Sequence, residues 1–187
     1  MAFIKSASTF CDLIIDNIPE VCLIGRSNVG KSSIVNAICK QAIAKVSSKP
    51  GYTQLINYYD CEKFRLVDLP GYGYANVSKS KQNFLVNLVE MYLQKAKNLK
   101  AIFQVCDINV ITDLDRQMAA FFQKQQINHY IVLNKVDKQS GNYKNQIHKI
   151  LNFFSVEESK IIIISAIKKT NIDFLVNKMI EASRLKG

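Results

Sequence analysis

Residues 25–32, GRSNVGKS, carry the spacing G-x-x-x-x-G-K-[ST], and each fixed position has a chemical reason. Gly25 and Gly30 permit backbone conformations that turn successive N–H groups inward around a phosphate, where a side chain would clash. A helix opening near Lys31 directs its positive end at the same anion. Lys31 can reach β- and γ-phosphate oxygens, and the Ser32 hydroxyl can ligate Mg²⁺. Arg26, Ser27, Asn28 and Val29 complete the loop, and Ser33 follows it into the helix.

Phosphate binding does not choose a base. Asn134-Lys135-Val136-Asp137 does, because the Asp137 carboxylate can accept from guanine N1–H and its N2 amino group. Adenine has no N2 amino group and would leave that acceptor unsatisfied. Asn134 would tie this loop to the phosphate loop and the base, with the Lys135 stem lying over the ring. Asp68-Leu69-Pro70-Gly71 forms a D-x-x-G pattern in which Asp68 can hold Mg²⁺ through a water and the Gly71 N–H can sense a γ-phosphate. Thr53, in the segment Gly51-Tyr52-Thr53-Gln54-Leu55, is spaced to offer its hydroxyl to Mg²⁺ when GTP is bound. Ile164-Ser165-Ala166 suits a backbone contact to guanine O6. These patterns occur in the order 25, 53, 68, 134, 165, and together they imply a guanine-nucleotide site binding GTP or GDP with Mg²⁺. The metal set is Ser32, Thr53 and Asp68; the groups closest to catalysis are Lys31, Thr53, Gly71 and Asn28.

The elements that must position these residues follow from periodicity. Short apolar runs alternate with longer amphipathic stretches, as in an α/β domain with a mostly parallel sheet. Strands are expected at Val21–Gly25, Leu55–Asp60, Phe64–Asp68, Ala101–Asp107, Tyr130–Asn134 and Lys160–Ser165. Helices are expected at Lys31–Lys40, Lys79–Lys97, Asp113–Gln125, Tyr143–Phe154 and Asn171–Arg184. Only Cys61-Glu62-Lys63 separates the second and third strands, so they form a hairpin and one strand runs antiparallel. The fold class is therefore α/β, a P-loop NTPase of the Ras-like G-domain type. Its sheet is mixed and six-stranded with one antiparallel strand, and helices cover both faces. One domain spans 1–187, with 1–18 as an N-terminal extension and 19–187 as the nucleotide-binding core.

Composition narrows the setting. The five cysteines are scattered without a CxxC pair, which fits reduced, mostly buried thiols in a cytosolic protein. His129 and His148 have no partners at metal-ligand spacing. The apolar stretch at Leu13–Ile15 is broken by Asp12 and Asp16, and Ile161–Ile164 is far too short to span a bilayer, so a soluble protein without membrane contact is expected. The net charge of +10 favours a polyanionic partner, although a generally Lys-rich composition would give the same figure.

GRSNVGKSS (25–33), KPGYTQLINYY (49–59) and LVDLPGYGYANVSK (66–79) together resemble the EngB (YihA/YsxC) family, within the TrmE-Era-EngA-YihA-septin group of TRAFAC GTPases. The D-L-P-G-Y-G-Y-A run is the most specific part. This resemblance implies a small cytoplasmic, monomeric GTPase that assists assembly of the large (50S) ribosomal subunit and is linked to division and septation. A protein-partnered division or signalling switch is the competing reading, and a scaffold that barely hydrolyses is another. Departures exist: the family's Asp-x-Arg-His-x-Pro run reads Asp107-Ile108-Asn109-Val110-Ile111-Thr112 here, which puts the partner contact of the Arg-His pair in doubt.

Ras-like enzymes place a water-orienting Gln directly after D-x-x-G, but here Tyr72 stands there, which implies slow intrinsic hydrolysis of roughly 10⁻⁴ to 10⁻² s⁻¹. Relatives with Asn at position 28 use it to bind K⁺; the alternative is that Asn28 shapes the loop. Arg26 reads as a solvated or switch-facing charge, with a cis arginine finger as the alternative. Ser47–Thr53 and Pro70–Ser80 are the expected switch loops. Strand alternation buries one of Tyr58 and Tyr59, and loop tyrosines such as Tyr72 and Tyr74 could stack on RNA bases.

Overall fold

In the computed structural model, residues 1–44, 55–73, 78–139 and 144–185 are described. Apolar runs become strands because both of their faces are covered. In β2 (Glu20–Gly25) all six residues are buried, with Val21 and Leu23 pointing to one core and Cys22 and Ile24 to another. The first core packs under α1 (Lys31–Cys39) and α5 (Ile172–Ser183), through Ile34, Ile38, Leu175 and Met179. The second packs under α2 (Lys79–Lys95) and α3 (Asp113–Lys124), through Leu88, Tyr92 and Phe122. A third joins α3 to α4 (Lys144–Phe154) through Ala119, Ile150 and Phe154. The helices therefore lie on both faces, as expected.

The remaining strands are β1 (Ala2–Ala7), β3 (Ile56–Asp60), β4 (Arg65–Asp68), β5 (Leu99–Asp107), β6 (His129–Asn134) and β7 (Ile161–Ile163). Among the described residues the sheet has seven strands in the order β1-β3-β4-β2-β5-β6-β7, so the expected count of six is one short. The added strand is β1, which pairs antiparallel with β3 along the sheet edge. β3 in turn pairs antiparallel with β4, and the other pairs are parallel, leaving β3 as the strand opposed to the rest. Both Tyr58 and Tyr59 are buried rather than one of them, because β3 is an inner strand with a core on each face.

Register brings the chemistry to one edge. Parallel pairing sets Leu23 beside Asp68, Gly25 beside Val105 and Asp107 beside Asn134, so the carboxyl ends of β2, β4, β5 and β6 align. Ligands of open α/β sheets bind at that edge.

Candidate nucleotide-binding site

The loop from β2 to α1 is shaped by two close approaches. A Cβ on Gly25 would lie 2.3 Å from the Val105 carbonyl oxygen of the neighbouring strand. Gly30 has φ +100° and caps α1, and a Cβ there would meet Asn134 Nδ2 at 2.5 Å. Asn134 occupies that space because its Nδ2 donates to the Val29 carbonyl at 2.9 Å. Its Oδ1 accepts from the Ala166 N–H at 3.1 Å. One buried amide thus joins three sequence-predicted segments: the phosphate loop, the Asn-Lys-Val-Asp loop and the Ser-Ala turn.

Around it the base-recognition residues are oriented. Ser165 donates its hydroxyl to Asp137 and accepts from the Lys168 N–H at 3.1 Å. The Val136 N–H donates to the Ile164 carbonyl at 3.3 Å. Lys135, at φ +70°, donates from Nζ to the Asn28 carbonyl at 2.7 Å and pairs with Asp107 Oδ2 at 2.7 Å. Asn28 is itself left-handed at φ +66°. The side chains of Val29, Leu69 and Ile164 lie in the core, so these residues would offer a ligand only their backbone.

At the phosphate end two charges are buried with little satisfaction. Lys31 is 7% exposed and donates to the Gly25 carbonyl across 3.4 Å. Burial lowers its pKa, against the pull of the Asp68 charge. Asp68 is 1% exposed, and its Oδ1 has no hydrogen-bond partner. Burial pushes its carboxyl up to about 6, with the Lys31 charge and a hydrogen bond from Asn57 working the other way. An orphaned carboxylate oxygen on a residue within electrostatic reach of Lys31, which directly precedes Ser32, fits Mg²⁺, which takes few protein oxygens and completes its shell with phosphate and water. No cluster of three or more His, Cys, Asp or Glu side chains that could hold a metal alone is present among the described residues.

Ser32 and Ser33 lie at the start of α1, partly exposed. Pro70 and Gly71 are buried at the end of β4, and the Leu69 N–H donates to the Leu23 carbonyl at 2.9 Å. Leu55 is described, immediately before β3; Gly51, Tyr52, Thr53 and Gln54 lie outside the described residues, as do the whole expected switch loop Ser47–Thr53 and residues 74–77 of the other, Tyr74 among them.

Arg26 is not a solvated charge but fits the switch-facing alternative: its backbone pairs with Tyr72, in the second expected switch loop. Its Nε faces Asp115 Oδ1 and Oδ2 at 3.2 and 3.1 Å, and it also donates to the Val110 carbonyl. Those bonds leave it on α3 rather than on the phosphates. Tyr72 likewise is no free stacking platform: its hydroxyl donates to Asp115 Oδ1 at 2.9 Å. Periodicity and motif reading missed Asp115 and Gln104. The available signal for the latter was a lone amide inside the apolar run Ala101–Cys106.

Comparison with known proteins agrees with this geometry. A family model described as 50S ribosome-binding GTPase matches residues 20–135. The probable GTP-binding protein EngB of Malacoplasma penetrans is 51% identical over 172 residues, covering 91% of this chain and 92% of that protein. Its counterpart in Mycoplasmoides gallisepticum is 44% identical over 180 residues, covering 96% and 97%. Among solved structures, a probable GTP-binding protein EngB superposes with a TM-score of 0.75 at 26% identity, over 88% of this chain and 98% of that one. Era in complex with MgGDPNP and nucleotides 1506–1542 of 16S ribosomal RNA superposes with a TM-score of 0.67 at 25% identity, over 89% of this chain and 57% of that one.

Proposed function

Because this chain belongs to the EngB family of GTP-binding proteins, we propose that it is a slow GTPase switch acting in assembly of the large ribosomal subunit. The observation that carries the nucleotide assignment is the Asn134 amide, bonded at once to the phosphate loop and the Ser165-Ala166 turn, beside an Asp137 carboxylate held by Ser165. On this reading Asp137 accepts from guanine N1–H and N2, the Lys135 stem covers the base, and the Ala166 region faces O6. The P-loop amides and Lys31 bind the phosphates; Ser32 and Asp68, joined by Thr53, hold Mg²⁺, which when bound neutralises phosphate charge. Gly71 offers its N–H to the γ-phosphate.

Hydrolysis by water is then a matter of positioning and charge stabilisation. Tyr72 has no amide to orient a water, and its hydroxyl is engaged by Asp115. Turnover of roughly 10⁻⁴ to 10⁻² s⁻¹ is expected without a partner. The left-handed backbone of Asn28 and its carbonyl bond to Lys135 support a loop-shaping role. The K⁺ alternative would show as faster turnover in KCl than in NaCl, abolished in Asn28→Ala.

A net charge of +10 supports an RNA-rich partner, as do the family's description and a structural neighbour that binds ribosomal RNA. No helix among the described residues is long and apolar enough to cross a membrane. The proposal is completed by a cytoplasmic monomer, a single G domain over 1–187, with a consequence for division and septation. Cosedimentation with purified 50S particles tests it: association is expected with a non-hydrolysable GTP analogue and not with GDP. Failure to associate at low salt with either nucleotide would favour a switch whose partner is a protein.

A further inference from the structure

The cluster around Asp115 draws on five parts of the chain. Gln104, wholly buried in β5, donates from Nε2 to the Tyr72 hydroxyl at 2.7 Å and to the Asp115 carbonyl at 2.8 Å. With Nε2 so used, Gln104 presents Oε1 to His129 Nε2 at 3.0 Å, which places the ring proton there and leaves buried Nδ1 bare. Having accepted from Gln104, the Tyr72 hydroxyl must give its own proton to Asp115 Oδ1. Asp115 Oδ2 accepts from both the N–H and the hydroxyl of Thr112, at 2.9 Å each, closing a capping box at the start of α3. Arg26 supplies the opposite charge. From Gln104 to Asp115 the direction of each bond is fixed, and such networks rigidify the groups they join.

What they join is the nucleotide edge. The Tyr72 N–H donates to the Gly25 carbonyl and the Ser27 N–H to the Tyr72 carbonyl, both at 3.3 Å, so residue 72 lies bridged along the phosphate loop. Its side chain is then pinned from beyond by Asp115. Burial raises the Tyr72 phenol far above its ordinary pKa, so it remains a proton donor at any working pH.

We propose that Asp115 is a positioning residue for the γ-phosphate: by fastening Tyr72 and Arg26 to the α3 start, it holds the adjoining Gly71 N–H in place and raises the affinity for GTP relative to that for GDP. A donor held before binding loses no further freedom on contact, so the latch favours the ligand that uses it. GDP has no γ-phosphate and draws nothing from Gly71. The inference rests on the assignment of Gly71 as the γ-phosphate donor.

Equilibrium titration of a fluorescent non-hydrolysable GTP analogue and of GDP, both with Mg²⁺, tests it in four proteins. Tyr72→Phe keeps the ring and removes the hydroxyl; the ratio of GTP-analogue to GDP affinity should fall roughly three- to tenfold with GDP affinity unchanged. Asp115→Asn removes the charge-assisted contacts as well and should lower the ratio tenfold or more. Gly71→Pro deletes that N–H and reports on the underlying assignment. If Gly71→Pro lowers the ratio and Tyr72→Phe leaves it at the wild-type value, the inference fails alone. An equal loss of both affinities in Tyr72→Phe would mark a merely structural role and also overturn it. If Gly71→Pro leaves the ratio untouched, the γ-phosphate assignment and the inference fall together.

Discussion

The same pair of strands, β2 and β4, treats charge in opposite ways at its two ends. At the amino end Glu20 sits beside Arg65. Arg65 Nη1 donates to Glu20 Oε1 at 3.0 Å and to Asp16 Oδ1 at 3.1 Å, while Nη2 donates to Asp16 Oδ2 at 2.5 Å. The Tyr92 hydroxyl completes Glu20 at 2.6 Å and itself accepts from the Cys22 thiol. At the carboxyl end, beyond the Leu23–Asp68 pair, Asp68 keeps an orphaned oxygen and Lys31 finds one distant carbonyl. Buried charges that are paired lock a structure, whereas buried charges left open are a cost that a ligand can relieve. The difference separates a structural end of the sheet from a receptive one.

Breaking the paired end should have the largest effect on stability. Arg65→Ala leaves Glu20 and Asp16 without their partner and is expected to cost about 3–5 kcal/mol in urea denaturation, with nucleotide affinity retained by the folded fraction. Asp68→Asn at the receptive end should show the reverse, holding or raising the stability of the nucleotide-free protein and weakening the dependence of nucleotide binding on Mg²⁺. Equal stability losses in both variants would erase the distinction.

His129 tests a buried group kept neutral rather than paired. Burial, reinforced by the Lys160 charge, pushes its imidazole down to about 4. A depressed base binds its proton in the unfolded chain first, so its contribution is present above about pH 6.5 and is lost as pH falls toward 4. About 3 kcal/mol is at stake, and His129→Gln, compared with wild type over that range, should flatten the decline by up to about one proton. Identical pH profiles would contradict the assignment. Asn134→Ala should act more modestly on folding, about 1–2 kcal/mol, but lower GDP affinity roughly tenfold or more, because it unties the phosphate loop from the Ser-Ala turn.

Much of this was legible before any geometry. The periodic runs located β2 to β7 and the α-helices α1 to α5, because strands buried on both faces read as continuous apolar segments. β1 escaped because an edge strand pairs through its backbone, and Ala2–Ala7 mixes Lys5 and Ser6 into its apolar residues. In the candidate site, spacing located the segments that the fold gathers at the carboxyl edge of the sheet, since motifs are local. It could not reveal the supporting bonds: Arg26 and Asp115 are 89 positions apart, and neither belongs to the other's motif. Arg26 read as either solvated or switch-facing because its partner is distant in sequence. The burial of both Tyr58 and Tyr59 was hidden for a related reason, as alternation cannot report that a strand has cores on two sides.

The central claim is that the receptive edge recognises guanine through Asp137. Thermal midpoints of wild type and Asp137→Asn, each with Mg²⁺ and GDP, ADP or xanthosine diphosphate, test it most directly. Wild type should be stabilised by GDP and not by ADP, and Asp137→Asn should respond to xanthosine diphosphate in place of GDP, since an amide can donate to the xanthine C2 carbonyl. Equal stabilisation of wild type by ADP and GDP, or an unchanged guanine preference in Asp137→Asn, would contradict the account.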